Sequence, residues 1–343
     1  PALRAFWSAV SPSRVVLLSD DRSVRSSFGG PALLAGTGLI HETLSHTGLR
    51  RPFALLRLIS RIRRERFHVV LYLPPRDRGR FAIHRDRLFF RVCGVRHVVG
   101  PDAPRLSQAQ FSVRPLVRAS REAEDLLDVL RGAGVPAAPL AVGDFDLGLR
   151  VVEHAAAEAA LARAGAGDGP FIGVATGAKM PSKRWPLGHF ESVLRRVSRE
   201  LGLTPVFVGG AADRDEADML IARVGTGVNL CGELSVRESA ALLRRCRMFL
   251  GNDSGPMHLA YATGTPCVVV FSAQDLPGRW EPFGVPSRVF RANIACAGCQ
   301  LVRCPRDNEC LRAIDPDQVM DACRDFNDAP SIEPRCGSSE SQM

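Results

Sequence analysis

The segment GNDSGPMHLA, residues 251–260, sets an acid, a hydroxyl, a glycine, a proline and a histidine within ten positions. It follows an apolar run, RMFLG, and leads into a run of helical character. Asn252, Asp253 and Ser254 form the turn, and Asp253 or Ser254 can cap the next helix. Pro256 falls at the first helical position, where its missing N–H costs nothing. Gly255 lets a ligand approach the backbone. The free N–H groups of such a helix form an anion site, at the strand ends where open α/β sheets bind ligands. A short, well-capped helix with no ligand would give the same pattern.

Two further loops have the same placement. TGAKMPSKRWP (176–186) follows the run FIGVAT and carries Lys183 and Arg184. A flexible ammonium there suits phosphate as a point charge, although a basic loop is also ordinary surface. Trp185 reads as packing. VGGAADRDEA (208–217) places Asp213, Asp215 and Glu216 at a helix start. A carboxylate there can hold ribose hydroxyls, or merely compensate the helix dipole. Together the three loops offer a dipole, a cation and a carboxylate, which describes a nucleotide-diphosphate site.

These loops need a scaffold of alternating strands and helices. SRVVLLSD (13–20), FHVVLYL (67–73) and VRHVVG (95–100) read as strands, and FRVCG just before the last reads as strand as well. Helices are expected near 119–132 and over 150–165, with GAGDGP (165–170) as a boundary. The alternation then restarts. FIGVAT, TPVFVGG, RMFLGN and TPCVVVF are strands, with helices over PLGHFESVLRRVSRELG, DRDEADMLIARVG, VRESAALLRRC and PMHLAYATG between them. Short links between β and α imply parallel sheets covered by helices. Two Rossmann-like α/β domains facing across a cleft are expected, spanning 1–165 and 166–326, with a disordered tail at 327–343. The chain opens on a helical pattern, Leu3, Phe6, Trp7 and Val10. An α/β domain of this kind usually opens with a strand, so a first strand and its loop are expected to be missing.

The chain has 343 residues, 45% hydrophobic and 24% charged, enough for two domains of usual size. No apolar run reaches the roughly 20 residues needed to cross a bilayer. No secretory signal opens it, so a cytoplasmic protein is expected. The formal charge of +9 comes largely from arginine, concentrated in RLISRIRRERFH (57–68) and RDRGRFAIHRDRLFFR (76–91). Such faces attract nucleic acid, anionic lipid or phosphorylated small molecules, or are simply solvated. No nucleic-acid-binding signature accompanies them, so no nucleic-acid partner is expected. Of ten cysteines, Cys296, Cys299, Cys304 and Cys310 cluster. They suit either a structural zinc or reduced thiols packing a loop.

GNDSGPMHLAYATGTPCVVVFSAQD, GAKMPSKRWP and CAGCQLVRC…CLRAIDPDQVMDA resemble characteristic segments of glycosyltransferase family 9, the ADP-heptose:lipopolysaccharide heptosyltransferases. The resemblance is specific over about 170–325. It implies a GT-B fold, with an N-terminal acceptor-binding domain and a C-terminal domain for the nucleotide sugar. It implies inverting transfer of heptose from ADP-heptose, without a required cofactor, to a lipopolysaccharide or related glycolipid, with peripheral contact at the anionic inner membrane face. Lys183 and Asp253 would position the donor and leaving group. Thr176, Gly177, Glu216, Ser254, Gly255, Pro256, Met257 and His258 would line the donor site, and Asp213 or Asp215 are alternatives to Glu216. The family's general base is an aspartate in a Gly-Asp loop after the first strand. PALRAFW looks like the helix following that loop, so a truncated start or a degenerate gene is expected. Asp20 and Asp21 are poorly placed substitutes, and no base is named. The segment LYLPPRDRGRFAIHRDRLFFRVCGVRHVVG departs from core heptosyltransferases, which leaves the acceptor open. Another GT-B sugar-nucleotide enzyme, such as an epimerase, or a non-catalytic nucleotide-sugar-binding fragment are the competing readings.

Overall fold

A computed structural model describes residues 1–20, 29–46, 52–73, 78–100 and 117–330. Asp21, the run at 74–77 and the tail from 331 lie outside the described residues. The chain divides into two compact units, Pro1–Asp144 and Phe145–Met343.

In the first unit, strands β1 (Val16–Asp20) and β2 (Glu42–His46) pair in parallel, with Val16 opposite Glu42. Strands β3 (Val69–Leu71) and β4 (His97–Val99) form a second parallel pair. The helices are α1 (Ala2–Val10), α2 (Gly30–Leu34), α3 (Pro52–Glu65), α4 (Arg80–Val92) and α5 (Glu122–Gly132). Successive strand residues face opposite sides, and both sides of β3 are used. Val70 joins Val16, Leu18 and Val98 against a core of Leu44, Leu58, Ile62, Phe90, Cys93 and Val95. Val69 and Leu71 lie on the other side, with Ala2, Phe6, Leu127 and Leu130. Helices α3 and α4 therefore cover one face of the strands, and α1 and α5 the other.

The second unit is built on one six-stranded parallel sheet of order β10-β9-β8-β5-β6-β7. Its strands are β5 (Phe171–Ala175), β6 (Thr204–Phe207), β7 (Val228–Asn229), β8 (Met248–Asn252), β9 (Cys267–Val270) and β10 (Ser287–Phe290). Its helices are α6 (Val151–Arg163), α7 (Leu187–Leu201), α8 (Arg214–Val224), α9 (Val236–Arg245), α10 (Gly255–Ala262), α11 (Glu309–Arg312) and α12 (Pro316–Asp328). Every residue of β5, β8 and β9 is buried, as a parallel sheet covered on both faces requires. Helix α7 ends on Gly202 at φ 65°, a left-handed cap that suits glycine.

Three expectations change. FRVCG is not a strand: helix α4 runs to Val92, because Ile83 and Phe90 bury one of its faces at helical spacing. The division falls before α6 rather than after it. The buried Arg237 of α9 donates from Nε to Glu153 Oε1 of α6 at 2.7 Å, and to the carbonyls of Leu147 and Gly148. That ties residues 147–153 to the second unit. The last helix continues to Asp328, with Phe326 still buried, so the first residues of the expected tail are helical.

Candidate donor site at the sheet switch point

Strands β5 and β8 are neighbours, with Ala175 opposite Gly251. From β5 the chain builds outward through β6 and β7 on one side; β8, β9 and β10 extend the other. The strand order reverses between β5 and β8, which is where open α/β sheets leave a crevice at their carboxyl ends. Two of the three loops singled out from the sequence leave from these two strands, and the third leaves the neighbouring β6. Gly251 permits the close approach: a Cβ there would lie 2.8 Å from the Ala175 carbonyl oxygen.

Asn252 locks the two loops together. It is fully buried. Its Nδ2 donates to the Thr176 carbonyl at 2.6 Å, and its Oδ1 accepts from the Trp185 amide at 3.1 Å. One side chain thus grips both ends of the lysine loop. Ser182 holds the middle: its Oγ lies 2.6 Å from the Leu301 carbonyl oxygen and 2.9 Å from Gln274 Oε1, with one proton to give to either. Trp185 is packing, 1% exposed, edge-on to Phe190.

On this frame Lys183 Nζ donates to Asp253 Oδ2 at 2.5 Å. The side chains are only 15% and 5% exposed. The ammonium has three donor positions and the contact occupies one of them. Next to it, Ser254 is the extended residue preceding α10, and Pro256 sits in the first turn. The capping bond expected from Asp253 or Ser254 does not form. Asp253 is turned to Lys183, and the buried Ser254 Oγ has no hydrogen-bond partner among the described residues. Among the described residues a Cβ on Gly255 would meet nothing within 4 Å, so none of them demands glycine there.

Met257 and His258 diverge. The Met257 side chain is fully buried. His258 stays partly exposed, with Nδ1 3.3 Å from Tyr261 Oη and its ring edge-on to Tyr261 and Trp280. Burial pushes its pKa down, Asp253 opposes this and Lys183 adds to it.

The carboxylates after β6 are linked to the lysine loop through Arg184. Its Nη1 donates to Glu216 Oε1 at 3.0 Å, and Asp213 lies 3.9 Å from the guanidinium. Asp213 is wedged between two loops. Its Oδ2 accepts from the Gly210 amide at 2.9 Å, and a Cβ on either Gly177 or Gly209 would overlap it. Asp213 is therefore a brace, Glu216 is held by Arg184, and Asp215 is exposed. Thr176 is buried at the same edge. Sequence reasoning placed Asn252 in the turn, whereas it closes strand β8, and it missed the linking role of Arg184. A polar residue closing an otherwise apolar buried strand was the signal for the first.

Nine cysteines lie among the described residues and all are free; Cys336 lies outside them. Cys296, Cys299, Cys304 and Cys310 line one small cavity with Ser182 and Gln274. Burial pushes the Cys310 thiol up. Among the described residues no three His, Cys, Asp or Glu side chains are drawn together as for a metal ion. The Cys-rich segment also supports the lysine loop: Asn308 Nδ2 donates to the Pro181 carbonyl at 2.9 Å, and the Ser182 amide donates to the Val302 carbonyl at 3.2 Å.

Comparison with known proteins bears on the family and the fold. The family described as glycosyltransferase family 9 (heptosyltransferase) matches residues 116–309. Lipopolysaccharide heptosyltransferase 2 of Escherichia coli K12 is 31% identical over 128 residues, 36% of each chain. Lipooligosaccharide heptosyltransferase 2 of Campylobacter jejuni is 24% identical over 162 residues, 46% of this chain and 50% of the relative. The matches span about a third to a half of the length of these relatives. Among solved structures, a family 9 glycosyl transferase of Veillonella parvula superposes with a TM-score of 0.73 at 19% identity, covering 95% of this chain and 91% of that one. Escherichia coli ADP-heptose lps heptosyltransferase II does so at 0.70 and 18%, covering 95% and 93%. This likeness shows the fold, an α/β architecture of GT-B type. With the family match covering more than half of its residues, the chain belongs to glycosyltransferase family 9.

Proposed function

We propose that this chain transfers heptose, with inversion, from a nucleotide-diphosphate donor to a lipopolysaccharide or related glycan, with ADP-heptose as the donor. One observation carries the reading. The β5–β8 switch point brings together the Lys183 ammonium, the start of α10 and the unpartnered Ser254 hydroxyl. Those groups suit a diphosphate. Negative charge grows on the leaving diphosphate as the sugar departs. Lys183 and the first N–H groups of α10 would stabilise it, as preorganised donors do. Asp253 keeps the ammonium aimed. Gly177 and Thr176 would border the nucleoside, Gly255 and Pro256 the diphosphate, and His258 the sugar. Glu216, positioned by Arg184, would accept from ribose hydroxyls. The second unit is then the donor unit and the first the acceptor unit. A lipid-linked acceptor would bring the enzyme to the inner face of the membrane.

Calorimetric titration with ADP-, UDP- and GDP-sugars tests this. The expected result is binding of an ADP-sugar, weakened about tenfold or more in Lys183→Ala and less in Ser254→Ala. Absence of binding by all three, or equal affinity in Lys183→Ala, would overturn the donor site. Donor turnover without any acceptor would point instead to an epimerase-like reaction.

A further inference from the structure

We infer, on the donor-site reading above, that Trp280 is a specificity-determining residue for the transferred sugar and that Asp275 and Arg279 position it. Along the sheet the neighbours are β6, β5, β8 and β9, in that order. Glu216 follows β6, Lys183 follows β5 and Ser254 follows β8. A donor laid with its ribose at Glu216 and its diphosphate at Lys183 and the start of α10 carries its sugar towards the loop after β9, one strand spacing of about 5 Å further on. That loop, 271–286, leads to β10 and holds Trp280. The Trp280 ring is partly exposed and packs edge-on with His258 in α10, centroids 6.2 Å apart at 78°. His258 in turn lies within electrostatic reach of Asp253 and Lys183. Trp280 is thus one ring removed from the groups that suit the diphosphate.

The loop fixes this ring on several sides. Trp280 Nε1 donates to Asp275 Oδ2 at 2.8 Å. The Arg279 guanidinium lies 4.9 Å from the ring centroid and 3.5 Å from Asp275 Oδ1. Arg291 ties down the start of the loop, donating from Nη1 to the Ser272 carbonyl at 2.7 Å and the Asp275 carbonyl at 3.0 Å. The Gly278 amide donates to Glu281 Oε1 at 2.8 Å and closes the turn. Trp185 is the contrast. It is buried, and its Nε1 has no hydrogen-bond partner among the described residues, so packing fixes it. Trp280 could have left its N–H to water, yet a carboxylate takes it. A half-exposed ring already held in one orientation is what a ligand wall needs, because little ordering is left to cost affinity when the ligand arrives. The face of an aromatic ring carries partial negative charge, and the C–H face of a sugar ring is apolar and slightly positive. A carboxylate and a guanidinium beside the ring suit the sugar hydroxyls.

Calorimetry of the full chain with ADP, ADP-heptose and ADP-glucose is the test. Trp280→Ala should bind ADP within about twofold of the wild type and ADP-heptose about tenfold more weakly, and should lose the preference for ADP-heptose over ADP-glucose. Trp280→Phe keeps a ring and should stay close to the wild type. Asp275→Ala releases the Trp280 N–H and should weaken ADP-heptose about threefold while leaving ADP unchanged. Tryptophan fluorescence gives a second reading: ADP-heptose, and not ADP, should shift the emission of the wild type, and the shift should vanish in Trp280→Phe. Two failures are distinct. If the wild type binds neither ADP nor ADP-heptose, the donor-site reading falls and the role of Trp280 with it. If the wild type binds both, and Trp280→Ala either matches it or weakens ADP and ADP-heptose equally, the donor site stands and the role of Trp280 in selecting the sugar is overturned.

Discussion

Arginine is put to opposite uses in the two units. In the second unit it reaches inward to carboxylates. The Arg237 and Glu153 side chains are 5% and 6% exposed. Desolvation alone would raise the Glu153 pKa; hydrogen bonds from Arg237 and then Arg150 outweigh it and bring the pKa to about 2. Hydrogen bonds from Arg324 and Arg199 likewise bring the exposed Glu200 to about 2. In the first unit the arginines of α3 and α4 outnumber the acids of those helices, and those that pair, Arg61 with Glu42 and Arg85 with Asp86, stay exposed while they do so. Net charge could not distinguish these uses. What decides is whether the fold brings a carboxylate to the guanidinium, because a charge out of water needs a partner and a charge at the surface does not.

The contrast can be broken most sharply at Arg237. Arg237→Ala would leave the Glu153 carboxylate and the carbonyls of Leu147 and Gly148 without that donor, and should cost about 3–5 kcal/mol in urea unfolding. Acid should reach the same pair more gradually. A carboxylate whose pKa is depressed on folding contributes its full stabilisation above its ordinary value of 4.5 and loses it as pH falls towards about 2. Stability measured stepwise through that window should fall more steeply for the wild type than for Glu153→Gln. Gly177→Ala drives a methyl group into Asp213 and should cost about 1–3 kcal/mol, with weakened nucleotide-sugar binding in calorimetry. Arg61→Gln, in the outward-facing set, removes an exposed pair with Glu42 and should change stability by no more than about 0.5 kcal/mol. The smallest perturbation is a thiol reagent. It should label the exposed Cys299 first and leave Cys231 and Cys246 untouched while the chain stays folded, since both are buried and burial raises their pKa to about 12.

The same contrast governs what the sequence made legible. The strands FIGVA, MFLGN and CVVV are buried throughout and announce themselves as apolar runs bounded by Gly and Pro. The loops at their ends, with Lys183, Asp253 and Ser254, were legible for the same reason. In the first unit the strand ETLSH is half polar, with only Leu44 well buried, and left no apolar run to find. The letters RLFFRV suit a strand by propensity, but the buried positions Ile83 and Phe90 repeat at helical spacing and tertiary packing decided for helix. Helix α6 is Ala-rich and says little about where it packs. Its anchor, Arg237, lies 84 residues from Glu153, beyond any local pattern.

The grip of Asn252 on the lysine loop has a consequence for timing. The Trp185 amide is buried and donates to Asn252 Oδ1. It can exchange its hydrogen with solvent only when that bond opens and the loop lifts from the sheet. Deuterium uptake at this one amide therefore clocks how often the Lys183 loop comes free. A ligand that seats on the closed loop would slow that clock, and an Asn252→Leu chain, with nothing to accept from Trp185, would run it fast.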